Sequence, residues 1–327
     1  MISRRLVRIK ALQALYSFQQ GNSVSDFDWA HLTVDQITPL DKSKENLSAC
    51  VCQSHDFFLF LLDLPYQLSQ HLIEKRAIEK SKYFPDTAKI RDLSLLDRMP
   101  LIKHLHIAIG KVENPQFPFV WSELSKQFDT WYEWMNEWEF VRDISIFDDP
   151  SFDQQQVFLE EFYASLFETR EAFFDALSEY YPSWGDDELY TTREIEKTLQ
   201  GATENGYVPI SDSPTKNTEE IEMALLLFGI TAKNNQVFEA QVAEITDNWD
   251  PSRIAVMDML IIKLALAEFL YFPTIPPKVT INEYLEITKN YSTPNSSRFV
   301  NGVLDKLRIV LDEQGLIKKI GRGLREK

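Results

Sequence analysis

The residues best suited to bind a ligand are three arginines near the start of the chain. Arg4, Arg5 and Arg8 lie in the first turns of a helix predicted from about Ser3 to Gln20. A cation at that end interacts unfavourably with the helix macrodipole and destabilises the helix by roughly 0.3–1 kcal/mol. The stability of the helix therefore does not account for the three arginines. A phosphate would meet both the guanidinium groups and the free amides of the helix end. The alternative is a solvated basic helix tip, and the arginines alone leave both interpretations open.

A second group of hydrogen-bond donors lies near the other end of the chain, in the first turns of a helix predicted from Pro294 to Leu311. Its members are Ser296, Ser297, Arg298 and Asn301. Phe299 would be partly exposed there, and an exposed aromatic ring beside an arginine can stack on an unpaired base. Considered alone, this segment favours the alternative in which Phe299 is buried in the core and Arg298 is solvated. Gly302 destabilises a helix by about 1 kcal/mol relative to alanine. Because a glycine leaves room for a neighbouring helix, its presence here predicts a close approach of two helices.

The chain contains no established catalytic motif. It has neither a phosphate-binding glycine loop nor a His-Glu-x-x-His zinc motif, and it lacks the Gly-x-Ser-x-Gly elbow of serine hydrolases. Cys50 and Cys52 are the only cysteines, too few for a disulfide framework and without a second pair of metal ligands. We therefore predict a protein that is not an enzyme and has no cofactor or metal, with reduced thiols in a cytoplasmic environment.

The net charge of −16 is unevenly distributed. Residues 1–24 carry +4, residues 25–215 carry −19, and residues 216–327 carry −1. An acidic segment of this size would repel a phosphate backbone, whereas the two chain ends together would not. The asymmetry predicts separate units with separate electrostatic roles.

The most apolar helix, here called the central helix, is predicted from Arg253 to Leu270. After Arg253 it is interrupted only by Asp258, Lys263 and Glu268, which fall on different sides of the helix. Each ionised group would cost about 2.5–3.5 kcal/mol near a bilayer centre, so we predict no membrane span. Other helices must surround the central helix instead. Asp250 and Pro251 are suited to its N-cap and first turn.

The remaining helical signals predict an all-α protein. Residues 44–83 indicate one long helix or two, bent at Pro65, and residues 88–109 a helix interrupted at Pro100. Aromatic rows within 121–141 and 152–181 follow helical spacing, which is more typical of core packing than of a base-stacking surface. Residues 205–217 form the clearest linker.

Four further helices and a tail are predicted after the linker. The helices cover about 219–231, 234–246, 280–291 and 294–311. Thr280 and Glu283 have the spacing of a capping box, and Thr293-Pro294 that of a cap followed by proline at the first helical position. The tail, residues 313–327, ends in the basic stretch KKIGRGLREK, which we predict to be mobile.

Together the two ends of the chain resemble the NusB family of bacterial transcription antitermination factors. Three stretches carry the resemblance: the arginines followed by Ala11-Leu12-Gln13-Ala14-Leu15-Tyr16, the central helix with Pro277-Lys278-Val279-Thr280-Ile281-Asn282-Glu283, and Arg298-Phe299-Val300-Asn301-Gly302-Val303-Leu304-Asp305. The resemblance covers residues 1–24 and 216–312, roughly a third of the chain. It leaves residues 25–215 as an acidic helical insertion, far longer than the loop usual in the family.

The resemblance implies a NusB-like helical bundle of two three-helix subbundles, with an additional helical inserted region. It also implies binding of boxA-type RNA together with the ribosomal protein NusE, within an antitermination complex on RNA polymerase. The RNA-binding residues would be Arg4, Arg5, Arg8, Tyr16, Asp258, Arg298, Phe299 and Asn301. Asn295 stands where some members carry an acid near the NusE contact.

Two other interpretations remain. The same helical domain resembles the RNA-binding front part of certain ribosomal RNA cytosine methyltransferases, but we expect no methyltransferase activity because the chain contains no methyl-donor-binding α/β domain. Alternatively, the helical bundle is only a scaffold for protein interaction. The acidic insertion would then dock a basic partner or mask the RNA-binding face.

Overall fold

The computed structural model describes residues 2–21, 34–112, 121–124, 127–169, 171–178, 181–214, 219–246 and 254–324. Within these ranges the protein consists of α-helices, short 3-10 turns and connecting loops, with no β-strand. The predicted all-α fold is confirmed.

Fourteen α-helices lie in the described part of the chain. They are α1 (Arg4–Gly21), α2 (Val34–Lys80), α3 (Thr87–Asp92), α4 (Pro100–Ile109), α5 (Phe128–Glu137), α6 (Glu139–Ser145), α7 (Phe152–Thr169), α8 (Glu171–Ser178), α9 (Trp184–Gly201), α10 (Glu219–Lys233), α11 (Asn235–Ile245), α12 (Val256–Tyr271), α13 (Pro277–Tyr291) and α14 (Ser296–Glu313). Short 3-10 helices cover Leu96–Arg98, Trp121–Leu124 and Gly321–Leu324.

The chain divides into two compact units. The inner unit consists of Cys52–Asn217, and the terminal unit combines Ile2–Val51 with Thr218–Lys327. The long helix α2 begins in the terminal unit and continues into the inner unit. The terminal unit is therefore built from both ends of the sequence.

The terminal unit is organised around α12, the central helix. Eleven residues between Asp258 and Phe269 are buried, and α12 packs against α1, α10, α11, α13 and α14. The predicted apolar face of α14 is also buried, through Val300, Val303 and Leu307. The expectation that other helices surround the central helix is confirmed.

The three charged residues of α12 are all buried, and each is bonded to a different part of the unit. Lys263 donates hydrogen bonds to Asn235 and Glu239 of α11, both at 2.8 Å. Asp258 accepts bonds from serines that flank the start of α14, and Glu268 accepts bonds from α1 and α13. Because buried charges must be paired, these contacts fix the orientation of α12 relative to its neighbours.

The predicted helix starts differ from those observed. Asp250 and Pro251 lie outside the described residues. The helix α13 begins at Pro277, so Thr280 does not cap it; the Thr280 hydroxyl instead donates to Glu268 Oε1 at 2.7 Å. The capping-box prediction is therefore wrong.

The last helix also departs from two predictions. Asn295 occupies the N-cap position of α14, so Thr293 and Pro294 lie before the helix and do not cap it. No described atom of a neighbouring element lies within 4 Å of the position that a Gly302 side chain would occupy, which contradicts the predicted close approach at this glycine.

In the inner unit, α2 runs through Pro65 as one continuous helix. Proline lacks the N–H that would bond to the carbonyl of residue 61. The buried Tyr163 hydroxyl of α7 donates to the carbonyls of Leu61 and Leu62, at 3.0 and 3.1 Å. This side chain satisfies the carbonyl that Pro65 leaves without its helical donor.

Aromatic side chains form much of the inner core. Phe158, Phe162, Leu166, Phe173 and Leu177 are buried, as predicted for core residues. The described residues of 121–141 form a 3-10 turn, α5 and α6 rather than one helix, and the extended backbone at Trp138 separates α5 from α6. Pro100 begins α4 at the position where the sequence predicted an interruption.

The described part of the C-terminal tail contacts the end of α12. Lys319 donates to the carbonyls of Glu268 and Phe272 at the end of α12, and the Ile320 amide bonds to the Pro273 carbonyl at 2.9 Å. These contacts hold the tail against the C-terminal end of α12. The predicted mobility of the tail does not hold for this part.

One helical stretch among the described residues, Leu40–Lys80, is long and apolar enough to cross a membrane. Two thirds of its most apolar window is buried inside the protein, as is typical of core helices.

Candidate functional site

A groove of about 650 Å³ opens on the terminal unit where the start of α1, one face of α13 and the start of α14 meet. Its lining residues are Arg5, Asn282, Leu285, Glu286, Lys289, Ser297, Arg298 and Asn301. The structure thus brings together two arginines from opposite ends of the sequence. The polar lining consists of three cationic side chains, two amides, one hydroxyl and one carboxylate.

Arg5 is held in the groove by α13. Its guanidinium makes two hydrogen bonds with the Glu283 carboxylate, at 2.9 and 3.0 Å, and its side chain remains 37% exposed. The hydrogen bond to Glu283 raises the pKa of Arg5. A bidentate pair fixes the guanidinium in position while leaving donors on its other edge. Arg5 can therefore bind a further anion.

Arg8 lies in the interior, where its side chain is only 2% exposed. It donates to both oxygens of Glu268, at 2.7 and 2.8 Å, and lies 3.7 Å from Glu283. Burial opposes its charge, but the hydrogen bonds to Glu268 raise the pKa of Arg8 above its usual value. The interpretation of Arg8 as an RNA ligand is therefore corrected: its guanidinium is used to join α1 to α12.

Asp258 is likewise a structural residue. Its carboxylate is buried and accepts hydrogen bonds from the hydroxyls of Ser292 at 2.5 Å and Ser296 at 2.8 Å. Ser296 is the first residue of α14, two residues before Arg298. Direct contact with RNA is thus not available to Asp258. It anchors the start of the helix that presents Arg298.

The start of α14 presents the other predicted residues outward. Arg298 is exposed, and Phe299 is partly exposed rather than buried in the core, the alternative that the segment alone favoured. Asn301 is partly buried, and its side-chain amide donates a long hydrogen bond to Asp305, at 3.4 Å. Asn295 is exposed at the N-cap position and makes no side-chain capping bond.

Two further predicted residues lie outside the lining of the groove. Arg4 is exposed at the tip of α1, one residue before Arg5. Tyr16 is 41% exposed on the same helix. At 1.5 Å per residue, Tyr16 is about 16 Å along the helix axis from Arg5. A ligand contacting both would have to extend along α1.

Lys289 and Asn282 line the groove but were not assigned to the site from the sequence, whereas Ser297 was named there only as one of the donors at the start of the helix. Lys289 is exposed and bonded to Glu286 at 2.5 Å, which lowers the pKa of Glu286. The signal available in the sequence was the spacing of 282, 285, 286 and 289, which places these residues on one face of a helix.

The groove can bind an elongated anion that also presents hydrogen-bonding groups. The exposed cations suit phosphates, and the amides of Asn282 and Asn301 both donate and accept hydrogen bonds. Phe299 does not line the groove, but it offers a partly exposed aromatic ring on the same helix, next to Arg298. The described lining contains no histidine or cysteine.

Comparisons with known proteins agree with this helical architecture. The NusB family model matches residues 168–308. The transcription antitermination protein NusB of Salinibacter ruber is 39% identical over 117 residues, which is 36% of this chain and 71% of that protein. The NusB protein of Citrifermentans bemidjiense is 32% identical over 115 residues, covering 35% of this chain and 79% of that protein.

A third relative, the NusB protein of Chloroherpeton thalassium, is 34% identical over 131 residues, 40% of this chain. The chain covers 61% of the length of that relative. No solved structure matches the chain. The extent of identity with the Salinibacter and Citrifermentans proteins shows that the chain belongs to the NusB family.

Proposed function

We propose that this protein is a cytoplasmic transcription antitermination factor that binds boxA-type single-stranded RNA together with the ribosomal protein NusE. It would act within the RNA polymerase antitermination complex during ribosomal RNA transcription. Family membership supports the general role. The observation that carries the RNA-binding part is the groove in which Arg5 and Arg298, from opposite ends of the chain, lie with Asn301.

In this proposal the exposed cations bind phosphates. Arg298 and Lys289 lie on facing helices of the groove, and Arg4 extends the basic surface at the tip of α1. Arg5 contributes through the edge of its guanidinium that Glu283 does not occupy. Phosphate contacts position a nucleic acid without reading its sequence.

Sequence preference would come from the groups that can reach bases. Phe299 supplies a surface for stacking, and Asn301 and Asn282 can bond to base edges. Tyr16, farther along α1, would contact the RNA only if the strand extends beyond the groove. Arg8 and Asp258 act indirectly, because their buried bonds hold α1 and α14 in the geometry that forms the groove.

We assign the NusE contact to the surface around Asn295. This side chain is exposed at the start of α14 and makes no capping bond, so it is available to a partner. Its position beside the groove residues Ser297 and Arg298 would allow a protein and an RNA to bind side by side.

The RNA proposal is tested by fluorescence anisotropy with a labelled boxA-type oligonucleotide. Arg298→Glu should weaken binding at least about tenfold, because a hydrogen bond involving a charged group contributes about 1.5–3 kcal/mol. Lys306→Glu is the matched control, since Lys306 is exposed on the same helix but does not line the groove. Equal losses in the two variants would indicate a general charge effect and would contradict a specific role for the groove.

A second function, docking of a basic protein partner by the inner unit, is supported by a separate observation on α6 and α7.

A further inference from the structure

The inner unit contains a groove of about 800 Å³ between α6 and α7. We propose that this groove docks a basic amphipathic helix of a partner protein. The inference does not rest on RNA binding, because all of the residues concerned belong to the inner unit.

The floor of the groove is apolar and aromatic. It includes Trp138 at the N-cap of α6, Phe140 and Ile144 within α6, and Val157 and Phe158 of α7. Val157 is 52% exposed, and Phe147, which follows α6 and also lines the groove, is 41% exposed. Exposed apolar groups that line a concave surface are typical of protein interaction sites.

The shape of the groove favours a helical occupant. The α7 residues that line it run from Asp153 to Glu168 and recur every three or four positions, so they form one face of the helix. This face is about 23 Å long. An amphipathic helix of about four turns would match it and could place its apolar side on Val157 and Phe158.

The charge of the rim selects a basic occupant. The described lining of the groove contains no lysine, arginine or histidine but has five carboxylates: Glu139, Asp143, Asp153, Glu161 and Glu168. All five are exposed, and none of them has an ion-pair partner among the described residues. Lysines or arginines flanking the apolar face of a partner helix would meet these carboxylates, which favours basic over acidic partners.

The test uses the full-length protein and a fluorescein-labelled helical peptide of leucine and lysine, with leucine at i, i+3, i+4 and i+7. Two control peptides replace lysine by glutamate, or leucine by serine. Saturable binding is expected for the leucine–lysine peptide, and weak or no binding for either control. Equal binding of the serine peptide would show attraction to net negative charge alone and would overturn the proposal.

Variants of the protein show whether the peptide binds in the groove. Val157→Asp should lower the affinity for the leucine–lysine peptide at least about tenfold, because it places a charge against the apolar face of that peptide. Leu189→Asp is the matched control, being an exposed leucine of α9 outside the groove, 63% exposed. Both residues are exposed, so neither change is expected to unfold the unit. Equal affinities of these variants would contradict docking in the groove.

The acidic rim is tested in the same way. Asp143→Lys with Glu161→Lys should reduce affinity at least about tenfold, whereas Glu133→Lys with Glu196→Lys, which gives the same change in net charge outside the groove, should change it less than about twofold. Equal losses in the two double variants would contradict a role for the rim.

Two other occupants give distinct results. Self-association of the protein that Val157→Asp abolishes would assign the groove to a second copy. A marked gain in peptide affinity after removal of the basic residues 318–327 would assign it to the tail of this chain. Either result would overturn a partner helix as the natural occupant. Arg298→Glu should leave peptide binding unchanged, so the two proposals can fail independently.

Discussion

The cores of the two units are stabilised in different ways. In the terminal unit, the central helix carries three buried charged residues, and each is paired with a different neighbouring segment. In the inner unit, stacked and edge-on aromatic rings fill much of the core, as in the contacts of Phe174 with Phe173 and Trp184. Buried pairs specify orientation, whereas aromatic packing mainly supplies apolar contact.

The grooves of the two units also differ in the charge and polarity of the residues that line them. The terminal groove contains Arg5, Lys289 and Arg298 with asparagine amides, and the inner groove has an aromatic floor with a carboxylate rim. The first suits an anion with hydrogen-bonding groups, and the second suits a basic amphipathic helix. One chain thus presents two surfaces for ligands of opposite charge.

The largest effect is expected from breaking the pair between α1 and α12. Arg8→Met leaves the Glu268 carboxylate buried without its cation, which should cost about 3–5 kcal/mol of unfolding free energy. Replacing both residues, as in Arg8→Met with Glu268→Leu, should recover much of this loss because it removes both buried charges.

Chemical denaturation can measure this effect separately in each unit. Five tryptophans belong to the inner unit: Trp121, Trp131, Trp134, Trp138 and Trp184. With the other two, Trp29 and Trp249, replaced by phenylalanine, fluorescence reports the inner unit, whereas circular dichroism reports all helices. Arg8→Met should move the circular dichroism transition to a lower denaturant concentration and leave the fluorescence transition nearly unchanged. An unchanged transition would contradict the importance of the buried pair.

The next effect concerns the start of α14. Asp258→Asn removes the charge that accepts bonds from Ser292 and Ser296, and we expect a loss of about 1.5–3 kcal/mol. RNA affinity should fall, while its dependence on salt should keep the same slope because no phosphate ligand is lost. A reduced slope would instead indicate that Asp258 influences a phosphate contact.

A comparable but smaller effect is expected in the inner unit from Tyr163→Phe. This change leaves the Leu61 carbonyl without a donor, at a cost of about 1–3 kcal/mol. In a Pro65→Ala background the backbone N–H of residue 65 can replace the hydroxyl, so the cost should be smaller. A double-mutant cycle on unfolding free energies measures the difference. Equal costs in both backgrounds would contradict this role of Tyr163.

The last effect concerns the tail, and within any one pH unit it is small. Burial lowers the pKa of Lys319 to about 8. Between pH 8 and about 10.4, the unfolded chain therefore binds more protons at this residue than the folded chain does. The stability of the wild type relative to Lys319→Met should rise with pH in that window, by no more than about 1.4 kcal/mol per pH unit. A difference that falls with pH would contradict the assignment.

The patterns of the sequence predicted the fold well where apolar spacing is strong. They predicted the buried central helix and the inward face of α14, and both are confirmed. The starts of the helices were harder to predict, because the side chains expected to cap them form hydrogen bonds elsewhere. Thr280 and Glu283 have capping-box spacing, but tertiary contacts with Glu268 and Arg5 take both side chains.

The candidate site was predictable in location but not in detail. Arg4, Arg5 and Arg8 look equivalent in the sequence, yet Arg8 points inward to Glu268 while Arg5 lines the groove. Helical geometry alone could not decide this, since the position of Glu268 relative to α1 depends on the packing of distant segments. Lys289 was missed because a single lysine on a helix has no distinctive pattern.

The most direct test of the account is the salt dependence of RNA binding. Affinities for boxA-type RNA should be measured between about 50 and 200 mM salt for the wild type and for Lys289→Ala with Arg298→Ala. We expect the slope of log affinity against log salt to decrease by about 1.4 in the double variant, because about 0.7 counterions are released per phosphate contact on a single strand. An unchanged slope would contradict the claim that the terminal groove binds RNA.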